Sequence, residues 1–428
     1  MNYPRITSSM FNAKGFDGQN PFLPAVFEAA KNLQDVSTNI RGTMFYVDPT
    51  SGLNTNSGLT PNEAFKDLQT AYAACTDGAG DGIIIFSAGT TTSATTSYLS
   101  HPLSWTKSGI TVIGVASGCG LESRARVSNV VHTTGSLTVL AFVAGADGVY
   151  DKITRTTGSF ITNGFAVGDV LRVNTTGNGA DATGLVITGV EALTLTLATI
   201  GTLVTETAGN AGASVVSSYC ASLLNVSGNN NIFYNIHAFN GDTDALALGC
   251  LVLTGVRNEF ILCHFVGGSC TTQTANERSV ELGVGASANV FLGGTIGTDT
   301  IDRGNNANCE LYINGSVATT ARNKFIGVEF LAMADGGTAH VAIKSAAATS
   351  MGRHMIFEDC EFMCYVSNLG ADQASVFGGT GFNTAKLFFT GKSSMLGYAL
   401  WDAATANDCC FTTAPQGVAA GGKGIVAS

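Results

Sequence analysis

The stretch Asn323-Lys324-Phe325-Ile326-Gly327-Val328-Glu329-Phe330 is one copy of a repeat that runs through residues 231–392 and decides the fold. Each copy opens on an Asn-x-Phe triplet or a variant of it. The six triplets are Asn231-Ile232-Phe233, Asn258-Glu259-Phe260, Asn289-Val290-Phe291, Asn323-Lys324-Phe325, Met355-Ile356-Phe357 and Lys386-Leu387-Phe388. Successive phenylalanines lie about 27 to 34 positions apart, a period that is typical of stacked structural repeats.

After the triplet, apolar residues alternate with polar or small ones, as in Ile326, Val328 and Phe330. This period of two indicates a strand with one row of side chains turned inward. No copy contains a helical pattern, and the segments between copies are rich in Gly, Asn, Ser and Thr. Each copy is therefore predicted to form one coil of two or three short strands, which buries its Phe only when coils stack about 4.8 Å apart.

The predicted fold is all-β: a right-handed single-stranded parallel β-helix that carries an inserted small antiparallel β-barrel and an N-terminal arm. The Asn before the Phe suits a bend, where its amide can bond its own backbone or the Asn of the next coil. An ordinary β-sandwich with coincidental Phe spacing is the alternative.

The composition agrees with this fold and restricts the partners. Among 428 residues, Gly is abundant at 53 and charged residues make up only 12%, which favours tight turns over surface helices. The net charge is −10 without any Lys/Arg cluster, so we expect no nucleic-acid partner. Eleven Cys and no apolar leader at the N-terminus predict folding in a reducing cytosol. No apolar run is long enough to span a membrane.

The chain is predicted to divide into four segments. These are the arm with a short helix (1–43), the first part of the β-helix with a capping helix (44–144), the inserted barrel (145–218) and the second part of the β-helix with a C-terminal cap (219–428). In the arm, the four aromatic residues Phe11, Phe16, Phe22 and Phe27 are too apolar for a solvated tail and too few for a core. We expect them to bind a partner surface.

The capping helix is predicted from Thr60-Pro61-Asn62-Glu63, which has the pattern of a capping box with Pro at the first helical position. Behind it, Phe65, Leu68, Tyr72 and Cys75 fall at helical spacing. A helix at this place would cover the open end of the stack and protect its unpaired edge.

Two parts of the sequence resemble known families. Tyr46-Val47-Asp48-Pro49, Ala64-Phe65, Gly82-Ile83-Ile84 and the run from Gly109 to Gly114, within residues 44–116, resemble the opening of pectate-lyase-like β-helix proteins, including appendages of tailed bacteriophages. Gly164-Phe165 with Gly168-Asp169-Val170 and Arg172-Val173 looks like a small β-barrel module of phage structural proteins.

The resemblance implies a virion structural protein that is made in the host cytoplasm. Two roles stay open: a trimeric capsid decoration (cement) protein bound to the major capsid protein or another virion protein, and a tailspike that binds or cleaves host-surface glycans. We favour decoration at the capsid surface, because the arm is short and no C-terminal receptor module is evident. A free-standing polysaccharide lyase is a third interpretation.

The trimer is predicted because a long β-helix has flat lateral faces and few charges to cover them.

Equivalent positions of adjacent coils should lie close together. The position four after each Phe gives the column His237, His264, Thr295, Glu329, Glu361 and Lys392. Glu329 and Glu361 are the catalytic candidates, since one strand spacing approaches the roughly 5 Å between the carboxyl groups of retaining glycosidases. We favour the alternative that they belong to a solvated face or to a contact with another subunit, and therefore a non-enzymatic role. Cys360, Cys364 and His354 fit no zinc spacing, and we expect neither metal nor cofactor.

Overall fold

The structure, a computed structural model, is an all-β protein built on a parallel β-helix, as the repeat predicts. It describes residues 40–87, 96–99, 103–116, 124–129, 132–133, 140–165, 167–174, 182–207, 214–217, 221–242, 247–267, 277–304, 306–335, 339–366, 372–383, 385–402, 408–411 and 423–424. Phe11, Phe16, Phe22 and Phe27 lie outside these residues, so attachment through the arm stays a prediction. No helix within the described ranges has the length and apolar content needed to cross a bilayer.

Three parallel sheets form the β-helix, and each complete coil adds one strand to sheet 1, then sheet 2, then sheet 3. The strands of sheet 1 are Met44–Val47, Gly82–Ser87, Thr111–Ala116, Ile232–Tyr234, Glu259–Ile261, Val290–Leu292, Lys324–Ile326, Met355–Glu358, Leu387–Thr390, Cys409–Phe411 and Lys423–Gly424. Those of sheet 2 are Thr96–Leu99, Ala125–Asn129, Ile236–Phe239, His264–Val266, Thr295–Asp302, Glu329–Ala334, Glu361–Val366 and Ser394–Leu396. Those of sheet 3 are Leu103–Trp105, Ser222–Val226, Gly249–Leu253, Val280–Leu282, Cys309–Ile313, Val341–Ser345, Gln373–Gly379 and Tyr398–Asp402.

Stacked phenylalanines from sheet 1 fill the centre of the coils, as predicted. The stack consists of Phe233, Phe260, Phe291, Phe325, Phe357 and Phe389, with successive ring centroids 4.7 to 5.2 Å apart. The sequence alignment of the sixth copy is wrong by one residue. Phe388 pairs with Ile356 and faces outward, whereas Phe389 pairs with Phe357, because alternation along the strand brings every second residue to the core.

A ladder of buried asparagines closes the turn into sheet 1. The side-chain carbonyl of Asn258 accepts a hydrogen bond from the backbone N–H of Asn231 at 3.0 Å, and Asn289 and Asn323 continue the same contact at 2.8 and 3.1 Å. Each of these bends has a left-handed residue just before the ladder Asn, for example Arg322 at φ 57°. The predicted contact between the Asn residues of adjacent coils is confirmed.

The capping helix exists but begins later than predicted. Helix α1, Leu68–Ala74, starts after Asp67, whose carboxylate accepts a hydrogen bond from the backbone N–H of Thr70 at 2.8 Å. The capping box at Thr60 is wrong: Pro61–Glu63 is a short 3-10 turn without a side-chain cap. The Glu63 carboxylate bonds the Ser57 hydroxyl at 2.6 Å instead.

Helix α1 covers one end of the core. Leu68, Ala71 and Tyr72 are buried, and the Tyr72 ring lies 4.3 Å from the ring of Trp105, in the first strand of sheet 3. Lys107 fixes the C-terminal end of the helix, because its ammonium donates to the backbone carbonyls of Tyr72, Ala73 and Cys75 at 2.7 to 3.0 Å.

A seven-stranded antiparallel sheet interrupts one coil, between the sheet 2 strand Ala125–Asn129 and the sheet 3 strand Ser222–Val226. Its strands are His132–Thr133, Leu140–Val143, Lys152–Arg155, Val170–Asn174, Ala182–Val190, Thr194–Leu197 and Ser214–Ser217. Among the described pairs the sheet keeps two open ends, so it is a half-barrel.

The half-barrel has a hydrophobic core of its own, separate from that of the β-helix, around Phe142, Phe160 and Leu171. Its limits differ from the sequence expectation of 145–218. Leu140–Val143 pairs antiparallel with Lys152–Arg155 and therefore belongs to the insert. We place the insert at 132–217.

We expect the β-helix to fold without this insert, since the two cores share no buried apolar residues. Residues 132–219 would be deleted and the ends joined by a short link. The link would make the connection as long as residues 303–308, which join the same two sheets in a later coil. A short link adds little chain entropy. Circular dichroism should show a soluble β protein whose unfolding midpoint lies within about 5 °C of the parent. An insoluble or unfolded product would show that the insert supports the β-helix.

Candidate functional site

A row of polar side chains crosses the outer face of sheet 2. Six residues at equivalent positions on adjacent strands form it, and we call them the polar row: Arg126, His237, His264, Thr295, Glu329 and Glu361. The predicted column is therefore confirmed from His237 to Glu361. The next position is Ser394, not Lys392. Lys392 lies in a turn, where its backbone N–H donates to Asp359 Oδ1 at 2.7 Å.

The two imidazoles in the middle of the polar row are stacked, with ring centroids 4.4 Å apart. Burial is the largest of the causes that lower the pKa of His237 to about 2 and that of His264 to about 4, and the charges of Arg124 and Arg126 contribute to both shifts. Both rings are therefore neutral near pH 7. His264 Nε2 lies 2.8 Å from the carbonyl of Gly297, so this nitrogen carries the proton and donates. His237 Nε2 is buried and finds no hydrogen-bond partner among the described residues.

Arginines border the imidazoles. Arg126 is the neighbour of His237 on the adjacent strand, and its guanidinium lies 4.5 Å from the centre of the Phe239 ring. Arg124 Nε donates to the carbonyl of Leu262 at 2.8 Å. Sequence reasoning missed both, because they precede the insert and the Asn-x-Phe triplet is absent from their coil.

The two carboxyl groups at the other end of the polar row have different surroundings. Glu361 is exposed, whereas Glu329 is half-buried and its Oε2 accepts a hydrogen bond from the Thr295 hydroxyl at 3.1 Å. Burial raises the pKa of Glu329; the Thr295 hydrogen bond opposes the rise and the Glu361 charge adds to it. The structure thus brings the two catalytic candidates onto neighbouring strands and raises the pKa of one of them, Glu329.

A second row of mostly apolar side chains runs beside the polar row, two residues further along each strand. It includes Phe239, Leu331, Met363 and Leu396, of which the last three are partners on adjacent strands. Leu396 is 68% exposed, and Tyr365, two residues beyond Met363 on the adjacent strand, is 60% exposed. The outer face of sheet 2 therefore offers hydrogen-bonding groups and apolar surface side by side.

The described residues offer neither a reactive cysteine in the polar row nor a group of metal ligands. Cys263 and Cys360 are buried, and burial raises the pKa of each to about 12. They are therefore thiols that pack as small apolar groups. Among the described residues no three His, Cys, Asp or Glu side chains group as metal ligands.

Comparisons with known proteins give distant likenesses only. No protein-family model matches the chain, and no curated protein matches it significantly. Among solved structures it resembles the pectate lyase Pel9A (11% identity, 90% of this chain and 80% of that chain, TM-score 0.45). It also resembles a rhamnogalacturonan lyase (10% identity, 86% and 73%, TM-score 0.43) and the tailspike gp61 of Pseudomonas phage phi297 (13% identity, 89% and 79%, TM-score 0.19). These likenesses are too distant to carry an activity or a partner over to this chain.

Proposed function

We propose that the protein is a tail appendage of a bacteriophage virion whose β-helix binds a host-surface polysaccharide along the outer face of sheet 2. The polar row is the observation that carries the binding function. The virion assignment rests on the sequence resemblance of residues 44–116 and of the inserted module.

The geometry of the polar row suits an extended polymer. Its six positions lie on adjacent strands, and strands about 4.8 Å apart spread them over roughly 24 Å. The guanidinium of Arg126 and the carboxyl groups of Glu329 and Glu361 supply donors and acceptors for sugar hydroxyls. The neighbouring row, with Phe239, Leu331 and Met363, offers the apolar surface on which the C–H faces of sugar rings pack.

Cleavage of the bound glycan is a second candidate function, favoured by the asymmetry of the acid pair. Acid-catalysed glycoside hydrolysis needs one protonated carboxyl to donate to the leaving oxygen and a second carboxylate beside it. Glu329, with its raised pKa, suits the first role, and exposed Glu361 suits the second. Cleavage should then decline as the pH rises through the pKa of Glu329.

The decoration role was favoured from the sequence because the arm is short and no C-terminal receptor module is evident, and no observation among the described residues supports it. The trimer stays a prediction. Exposed Tyr365 and Leu396 at one end of sheet 2 are the surface we propose for contact between copies. Light scattering that gives the mass of one chain would contradict it.

Binding can be tested with surface polysaccharides purified from a panel of bacteria and immobilised for biolayer interferometry. We expect Arg126→Ala and Glu361→Gln each to weaken binding about tenfold, the loss expected for one hydrogen bond to a charged group. Glu259→Gln is the control, because Glu259 is exposed on sheet 1. Unchanged affinity in both polar-row variants would overturn the proposed site, and no binding to any polysaccharide would overturn the function.

The same panel tests cleavage through release of reducing ends. For a cleaved polysaccharide, Glu329→Gln is expected to lower the rate about a hundredfold or more while binding persists, because an amide cannot donate the proton. Retained cleavage in this variant would remove Glu329 from the reaction.

A further inference from the structure

A groove of about 830 Å³ lies on the outer face of sheet 1, away from the polar row. Three consecutive strands supply its floor through Lys324, Ile356 and Phe388, which are partners in register. Arg322 and Arg353, from the turns that lead into two of these strands, stand at its rim. The groove therefore combines residues from three coils, and no single stretch of sequence reveals it.

The floor of the groove is apolar and held in place. Ile356 is 38% exposed although it is a large aliphatic residue. The Phe388 ring meets the His354 ring edge to face, with centroids 4.8 Å apart. His354 Nδ1 accepts a hydrogen bond from the backbone N–H of Lys386 at 2.9 Å, which places the proton of the neutral ring on Nε2 and makes that nitrogen a donor.

The rim is cationic in a chain whose net charge is −10. Lys324 is neutralised by Glu358 at 2.8 Å. Arg322 and Arg353 are exposed, and neither has a hydrogen-bond or ion-pair partner among the described residues. Arg322 leaves the backbone at φ 57°, directly before Asn323 of the buried ladder. The Arg322 side chain therefore projects from a rigid backbone bend.

We infer that this groove binds a carboxylate-bearing sugar unit, an inference that takes its class of ligand from the proposed polysaccharide binding. A planar guanidinium fork matches a carboxylate with two parallel hydrogen bonds. The C–H face of the sugar ring packs on Ile356 and Phe388, and His354 Nε2 donates to a ring hydroxyl. A neutral sugar gains the apolar contact and the hydrogen bond from His354 but lacks the carboxylate that pairs with the arginines, so the groove selects for acidic units.

The test uses tetragalacturonate and, as the neutral probe, maltotetraose, with affinity from isothermal titration calorimetry on the whole chain. We expect the parent to bind tetragalacturonate and to bind maltotetraose at least tenfold more weakly. Arg322→Ala/Arg353→Ala should weaken tetragalacturonate binding about tenfold or more and leave maltotetraose unchanged. Added salt should weaken the acidic probe alone.

Alanine is tolerated at the position of Arg322, because Ala288 occupies the same place in the preceding coil at φ 56°. The matched control is Arg257→Ala, which removes a cation at that place two coils away, at φ 55°. Equal binding of the two probes, or an unchanged affinity in the double Arg variant, would overturn the inference. Both probes are simple oligosaccharides, so this outcome is independent of whether any host polysaccharide binds the polar row.

Discussion

Replacing Phe325 with Ala is expected to lower the free energy of unfolding by about 3 to 5 kcal/mol, the range for deleting a large buried aromatic side chain. Phe325 is fully buried and stacks between Phe291 and Phe357, with ring centroids 4.7 and 4.8 Å away. Phe330 from sheet 2 also packs against it, 5.8 Å away. The coils above and below hold these neighbours by backbone hydrogen bonds, so the cavity cannot collapse and the loss falls at the high end.

Urea denaturation followed by circular dichroism measures the loss. The matched control is Phe388→Ala, which removes the same side chain from an outward position of the same sheet. Phe388 is only partly buried, so its removal should cost about 1 kcal/mol or less. Equal losses in the two variants would mean that Phe388 belongs to the central stack and that the register of the last full coil is different.

The sequence predicts the stack well because the bends between sheets 1 and 2 are uniform. From Ile232 to Glu361 one or two residues separate the two strands of each coil, and the first of them is left-handed, as at Asn235, Leu262 and Asp359. A constant bend keeps the distance from each Phe to the polar row at four residues, which is why the column from His237 to Glu361 could be read directly.

The sixth coil breaks this regularity. Phe388 and Phe389 are adjacent, so the alternation of the sequence alone does not decide which ring points inward. The turn that follows is longer, and it places Ser394 rather than Lys392 beside Glu361. Register there is set by the hydrogen bonds of Leu387 and its neighbours to the preceding coil, which are long-range contacts without a local signal.

Two features of the candidate sites had no signal in the repeat. Arg126 precedes the insert and His237 follows it, so the two are far apart in the sequence. They lie side by side on adjacent strands because the chain returns from the insert to the same coil at Ser222. The groove on sheet 1 combines turn residues such as Arg322 and Arg353, whose positive charges look like ordinary solvated side chains in the sequence. Their proximity depends on coil stacking.

A buried ion pair inside the β-helix is likewise invisible to periodicity. Arg303 and Glu310 are both fully buried, and Arg303 Nε lies 3.0 Å from Glu310 Oε1. Arg303 Nη2 donates to Glu310 Oε2 at 3.2 Å, and the Ser279 hydroxyl donates to the same oxygen at 2.5 Å. Charges held this way are satisfied only together, because each alone has lost its hydration.

Replacing Arg303 with Met is therefore expected to cost about 3 to 5 kcal/mol of unfolding free energy at pH 7, since Glu310 is left as an uncompensated buried charge. Burial raises the pKa of Glu310 and Arg303 opposes that rise, so without Arg303 the carboxyl should take up a proton on folding. The deficit is then small below the unfolded pKa near 4.5 and grows as the pH rises toward the folded pKa.

Urea denaturation at pH 4 and pH 7 measures this deficit. The control is Lys324→Met, which breaks the half-exposed ion pair with Glu358 and should cost about 1 kcal/mol or less. Adding Glu310→Gln to Arg303→Met should recover much of the loss at pH 7, because the amide still accepts from Ser279 without a charge. A deficit that is the same at both pH values and persists in the double variant would mean that Arg303 acts through packing, and that the buried charge of Glu310 is not what the β-helix must neutralise.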